Sequence, residues 1–116
     1  MRAQKVGKRA MRAGMDFRCT DDAIACIANE KKELDNAVLS GDKANIEEEL
    51  GDLLFSCVNA ARHLGIDAEL ALKAATDKFI RRFDATEKLV VENGLDMPQL
   101  SIEELDVYWE KAKKQL

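Results

Sequence analysis

Residues Asn29–Asp52 read NEKKELDNAVLSGDKANIEEELGD, and the middle of this stretch decides the fold. Gly41 closes one apolar-periodic run and Asp42 stands before the next. Glycine just past a helix and aspartate just before one are stop and start signals. The pattern predicts two helices folding back on each other across a Ser-Gly-Asp turn. One carboxylate spacing occurs on both sides of that turn, Glu30-x-x-Glu33 and Glu49-x-x-Asp52. Glu33 precedes Gly41 by eight positions and Glu49 follows it by eight, while Glu30 and Asp52 are each eleven away.

Outward from the hairpin, the same punctuation repeats. Thr20 is placed to cap the first long helix, with Asp21 and Asp22 in its first turn. The second long helix runs from Asp42 to Gly65, and a third opens at Asp67 and closes at Gly94. Ser101 and Glu104 have capping-box spacing for a last helix from Ile102. The opening RAQKVGKRAMRA reads as a shorter helix, and Pro98 bars helix through GLDMPQLS. No segment alternates with period two for the length of a strand. The expectation is an all-α helical bundle of about four to five helices, one domain over residues 1–116. Helices of about 20 residues are roughly 30 Å long, more than the short ends can cover. Self-association through the long helices follows, as a homodimer or a dimer of dimers.

Composition narrows the function. The chain has 116 residues, 34% charged, with a formal net charge of -4, which gives no ground for nucleic-acid binding. No apolar run approaches membrane-spanning length and the polar start has no signal-peptide core, so a cytoplasmic protein is expected. Cys19, Cys26 and Cys57 form no C-x-x-C pair and read as small buried residues in a reducing compartment.

Successive helical residues step by about 100°. On the first long helix Ile24, Ile27, Leu34 and Val38 form an apolar stripe, with Glu30 and Glu33 together on one flank. On the second, the stripe is Ile46, Leu50, Leu53, Leu54, Cys57, Ala61 and Leu64. Glu49 and Asp52 share one flank of it, continued by Ser56, Asn59 and His63; Glu47 and Glu48 fall opposite. Four converging carboxylates repel, and a divalent cation relieves this. An all-oxygen donor set favours Mg²⁺ or Mn²⁺ over zinc. Geometry alone leaves a metal site and a solvated acidic surface both open.

These residues resemble the MazG-type nucleoside triphosphate pyrophosphohydrolases, within the all-α NTP pyrophosphatases. The family signature is E-E-x-x-E, a spacer, then E-x-x-D; here Asn29 replaces the first Glu and the other four acids are present. EEELGDLLFSCVNAARHLG and KFIRRF are similar to further family segments, and the likeness is to the second repeat of two-repeat members. The resemblance implies hydrolysis of an NTP or dNTP between the α and β phosphates, giving a monophosphate and pyrophosphate in nucleotide house-cleaning. It implies Mg²⁺ on Glu30, Glu33, Glu49 and Asp52, with Glu33, Glu49 and Asp52 catalytic and Glu33 the suggested base.

Four further residues are candidate substrate contacts. Lys78 and Arg82, four apart on one helix face, match family positions that approach phosphates, although Asp77 and Asp84 are also near enough in sequence to pair with them. Trp109 matches a position near the nucleotide, where an indole stacks on a base or braces the pocket. Asn59 reaches a base or sugar, or else satisfies a helix contact. His63 reads as helix-end packing, and Arg2, Lys5, Lys8, Arg9 and Arg12 as a solvated or subunit-bridging segment. Two other functions stay open: a phosphoribosyl-ATP-type pyrophosphohydrolase, and a non-catalytic helical oligomer that binds nucleotides or protein partners.

Overall fold

The computed structural model describes residues 2–116. Five α-helices follow in order, α1 (Arg2–Arg12), α2 (Thr20–Ser40), α3 (Lys43–His63), α4 (Ala68–Glu92) and α5 (Ile102–Gln115), with a 3-10 turn at Met97–Gln99. No strand occurs among the described residues, so the chain is all-α as expected.

Local chemistry fixes the helix ends. Gly41 takes a left-handed φ of 72°, and its N–H bonds the Val38 carbonyl. Asp42 then caps α3, its carboxylate accepting from the Ala44 N–H at 3.1 Å. Asp67 accepts from Leu70 N–H at 3.0 Å at the start of α4, and the Ser101–Glu104 capping box is formed in both directions. Thr20 is not a cap. Extended Cys19 occupies that position without a side-chain bond, and Thr20 is already helical.

The chain divides into two compact units, Met1–Ala71 and Leu72–Leu116. In the first, α2 and α3 pack along their lengths and α1 lies on α3. The residues buried here are small: Gly7, Ala23, Ala37, Ser56 and Ala60, with Val58. Small side chains let two helix backbones approach closely. The face of α3 turned to α2 is therefore the one carrying Ser56 and Ala60, about 100° round from the expected core stripe. Leu50, Leu54 and Leu64 of that stripe are exposed by 44%, 60% and 56%, and Cys57 is exposed with them. On α2, Ile24 and Val38 are likewise exposed, while Ile27 and Leu34 are half-buried.

The cysteines correct the expectation of burial. Cys19 and Cys57 are exposed and Cys26 is half-buried. Burial, and then the charge of Glu30 one turn on, hold the Cys26 thiol above its ordinary value.

α1 is tied down at two places. Gln4 accepts from the Ala68 N–H at 2.9 Å, satisfying a free donor at the start of α4, and donates to the Ile66 carbonyl at 3.4 Å. Gly7 meets α3 so closely that a Cβ there would stand 2.5 Å from Asn59 Oδ1. The five basic residues of α1 are exposed, as a solvated segment requires.

The second unit is built on α4 and α5. Val90, Thr86 and Ala112 are buried, and the Thr86 hydroxyl donates to the Arg82 carbonyl at 2.7 Å. Phe79 lies 5.4 Å from the Trp109 ring and 6.4 Å from Phe83, centroid to centroid.

The glycine contact yields a stability prediction. The atom a Cβ would meet is the tip of the Asn59 side chain, which can turn aside, and alanine gains helix propensity, so Gly7→Ala should change stability by less than about 1 kcal/mol, whereas the bulkier Gly7→Leu should destabilise the chain by about 1–3 kcal/mol. Thermal denaturation of the three proteins checks this. An unchanged midpoint for Gly7→Leu would show that α1 does not rest on α3 at Gly7.

Candidate metal centre

The hairpin brings three of the four signature carboxylates together. One oxygen from each of Glu30, Glu49 and Asp52 lies within 4.8 Å of the others, Glu30 and Glu49 half-buried and Asp52 exposed. The reason is the face on which α2 and α3 meet. Glu30 shares the α2 face of Ala23, Ile27, Leu34 and Ala37, and Glu49 shares the α3 face of Ser56 and Ala60. Glu33 sits about 60° further round than Glu30, at the outer edge, and is exposed. It stands outside the triad.

Glu33 still acts on the site. Burial, then the charges of Asp52, Glu33, Glu48 and Glu30, hold the Glu49 carboxyl above its ordinary value. Carboxylates that raise one another's proton affinity resist losing their protons together. Three hard oxygen donors at this separation, with excess negative charge and no sulfur or imidazole among them, fit a hard divalent cation.

Ser56, next along the polar row, is buried and donates to the Leu53 carbonyl at 2.7 Å. Asn59 is half-buried against Gly7. At the end of the row His63 meets a residue that spacing gave no reason to single out, Asp16. Asp16 accepts from both Arg62 terminal nitrogens, at 3.0 and 2.7 Å, and lies 2.9 Å from His63 Nε2. Phe17 packs edge-on against the His63 ring at 6.1 Å. His63 is thus a helix-end packing residue, as read from the sequence. Only the presence of an acid in the Gly14–Cys19 turn could have hinted at this network.

Lys78, Arg82 and Trp109 lie in the second unit. Lys78 is exposed and Arg82 half-buried, and both follow one face of α4. Asp77 pairs with Lys73 at 2.9 Å and not with Lys78, the i,i+4 geometry favouring the former. Phe79, Phe83, Met97 and Trp109 line a cavity of about 220 Å³ with Asp106 at its wall.

Residues 20–86, more than half the chain, match the MazG nucleotide pyrophosphohydrolase domain. The chain belongs to the MazG family. It is 44% identical over 111 residues to the nucleoside triphosphate pyrophosphohydrolase/pyrophosphatase MazG of Thermotoga maritima, covering 96% of this chain and 42% of that protein. It is 41% identical over 119 residues to the nucleoside triphosphate pyrophosphohydrolase of Escherichia coli K12, covering 99% of this chain and 44% of the relative. The chain therefore spans less than half the length of these MazG relatives. No helix among the described residues is long and apolar enough to cross a membrane.

The Asp16 network predicts an acid-sensitive limb. Hydrogen bonds from Arg62, then His63, hold the Asp16 carboxyl well below its ordinary value of 3.8. A depressed folded-state value gives stability that is present above 3.8 and is lost as pH falls below it towards the folded value. Asp16→Asn should remove that part of the acid limb, so wild type and variant melting points should converge as the pH is lowered through this window. Parallel pH profiles would show that the carboxylate adds nothing.

Proposed function

We propose that this chain hydrolyses nucleoside or deoxynucleoside triphosphates between the α and β phosphates, with Mg²⁺ or Mn²⁺ held by Glu30, Glu49 and Asp52. The observation that carries the reading is the convergence of those three carboxylates in the MazG motif. The family match also runs through the boundary between the two compact units, which supports residues 1–116 acting as one functional domain.

Glu33 is assigned two tasks, fourth ligand at the edge of the triad and base towards water. Its exposure and its electrostatic reach to Glu49 suit both. Glu49, whose carboxyl resists ionisation when the site holds only protein charges, binds once positive charge is present. Bound there, the cation would neutralise triphosphate charge and lower the pKa of water. Glu33 takes the proton as the water oxygen bonds to phosphorus. The bridging P–O bond between the α and β phosphates breaks, and its electron pair leaves with pyrophosphate. For Lys78, Arg82 and Trp109 the family resemblance supports substrate contact, to phosphates for the two cations and to the base for the indole.

The net charge of -4 makes a bare polyanion a poor partner, so the substrate enters as its metal complex. Nucleotide-pool house-cleaning in the cytoplasm is the role this chemistry serves. The chain works as a homodimer or a dimer of dimers, because the Leu50, Leu54, Cys57 and Leu64 stripe on α3 is an uncovered apolar row about four turns long.

Two experiments test the proposal. Incubation with a panel of NTPs and dNTPs plus Mg²⁺ should release pyrophosphate, and chelation should stop it. Glu49→Gln should lower turnover by at least about 100-fold, comparable to loss of one charge-stabilising group in other enzymes, while helicity by circular dichroism is kept. Orthophosphate release, or turnover indifferent to Glu49, would overturn the assignment. Separately, Leu54→Glu should shift the light-scattering mass of the wild-type oligomer towards the monomer; an unchanged mass would place the interface elsewhere.

A further inference from the structure

The net charge of -4 conceals a sharp local segregation in α1. Five of the 18 lysines and arginines lie in its 11 residues, and it holds no acid. With Arg2 at zero and about 100° per residue, Lys8 falls at about 240°, Arg12 at about 280°, Lys5 at about 300° and Arg9 at about 340°. The five cations therefore share one arc of about 120°. Gly7, buried against α3, stands at about 140°. The middle of the basic arc thus points away from the rest of the first unit, and all five side chains are exposed. Among the described residues none of them enters an ion pair, although the chain has 22 acids. Solvated helix faces elsewhere in the chain pair opposite charges at i,i+4, as Lys31 does with Asp35 and Lys73 with Asp77. A face of one sign, unpaired, is the electrostatic footprint of a polyanion.

We propose that this face docks on the phosphates of duplex DNA, without reading its sequence. The dimensions agree. Arg2 and Arg12 are about 15 Å apart along the helix axis, and an arc of 120° on a helix about 10–12 Å wide spans roughly 10 Å across. That is enough to bridge the minor groove of B-DNA, about 6 Å wide, and to touch phosphates on both strands. The wide, shallow minor groove of A-form RNA is not bridged in this way. A single strand binds by stacking its bases on aromatic rings, and the arc has none. A bilayer finds no apolar side chain within the arc to bury.

Attachment to α3 through Gly7 keeps α1 lying across the groove instead of entering it. Gln4, the one amide side chain of α1, is already engaged with Ile66 and Ala68. The contacts therefore go to phosphates, which position a protein but carry no sequence information. The overall negative charge does not cancel them. Screening over about 8 Å at physiological salt weakens the more distant acids, while the α1 cations meet phosphates directly.

Fluorescence anisotropy of a short labelled DNA duplex of arbitrary sequence tests this on the full chain. Five phosphate contacts should weaken binding about 500-fold between about 50 and about 200 mM salt. Lys5→Gln with Arg9→Gln should reduce the slope of log affinity against log salt by about two. Both residues are exposed and unpaired, so the double variant should keep its helicity and its rate of pyrophosphate release. Lys88→Gln with Lys114→Gln makes the same change of net charge in the second unit and should bind as the wild type does. Equal losses in the two double variants would show a response to net charge alone and overturn the α1 surface. So would no binding at low salt, a strong dependence on duplex sequence, or tighter binding of an RNA duplex or a single strand. Sedimentation with phosphatidylserine vesicles at salt that releases DNA would replace the duplex with a lipid surface and overturn the proposal.

Discussion

The close approach of α2 and α3 governs the rest of this structure. Ala23 and Ala37 on one helix and Ser56 and Ala60 on the other form the buried seam. Because none of them is bulky, the helices meet on faces that also carry Glu30 and Glu49, and the carboxylates are drawn together instead of standing in solvent. The same choice of face turns Leu50, Leu54 and Leu64 outward. Electrostatic tension in the hairpin and unsatisfied apolar surface outside it thus have one cause. In the function proposed above, a divalent cation and a second subunit would be the corresponding remedies.

Much of this was legible in residue order. The stops at Gly41, Gly65 and Gly94, the Asp42 cap and the Ser101 capping box are local devices, set by backbone conformation and by donors two or three residues away. Such features need no tertiary knowledge. The rotation of α3 is different. An apolar stripe states that a face will be covered, but it does not say whether an intrachain helix or another chain covers it. Leu50, Leu54 and Cys57 belong to such a stripe, and the seam of small residues lies beside it. Among the acids, Glu30 joins Glu49 and Asp52 in the triad, and the charge of Glu33 also bears on Glu49.

The Asp16 network was illegible for another reason. Its partners Arg62 and His63 lie 46 and 47 positions away, and a lone acid in a turn carries no period or spacing. Gly7 is a similar case. Glycine within a helix lowers helix propensity, and its purpose appears only where the Asn59 and Arg62 side chains of α3 come within reach. Both residues serve the attachment of the N-terminal segment, whose α1 is polar and exposed along most of its length.

α3 consequently presents three faces with different surroundings. One face, with Glu49, Ser56 and Ala60, meets α2; a second, with Leu50, Leu54 and Leu64, is bare; a third, with Phe55, Asn59 and Arg62, lies under α1. A helix turns through all directions in 3.6 residues, so 21 residues supply about six turns for each task. Residues one position apart on α3 therefore belong to different interfaces. Glu49 and Leu50 are adjacent in sequence, yet one belongs to the acidic triad and the other to an uncovered apolar row. Any segment that moves α3 along its axis must alter all three faces together. The contact of α1, through Gly7 and Asn59, and the carboxylates of the hairpin thus lie about two turns apart on one helix.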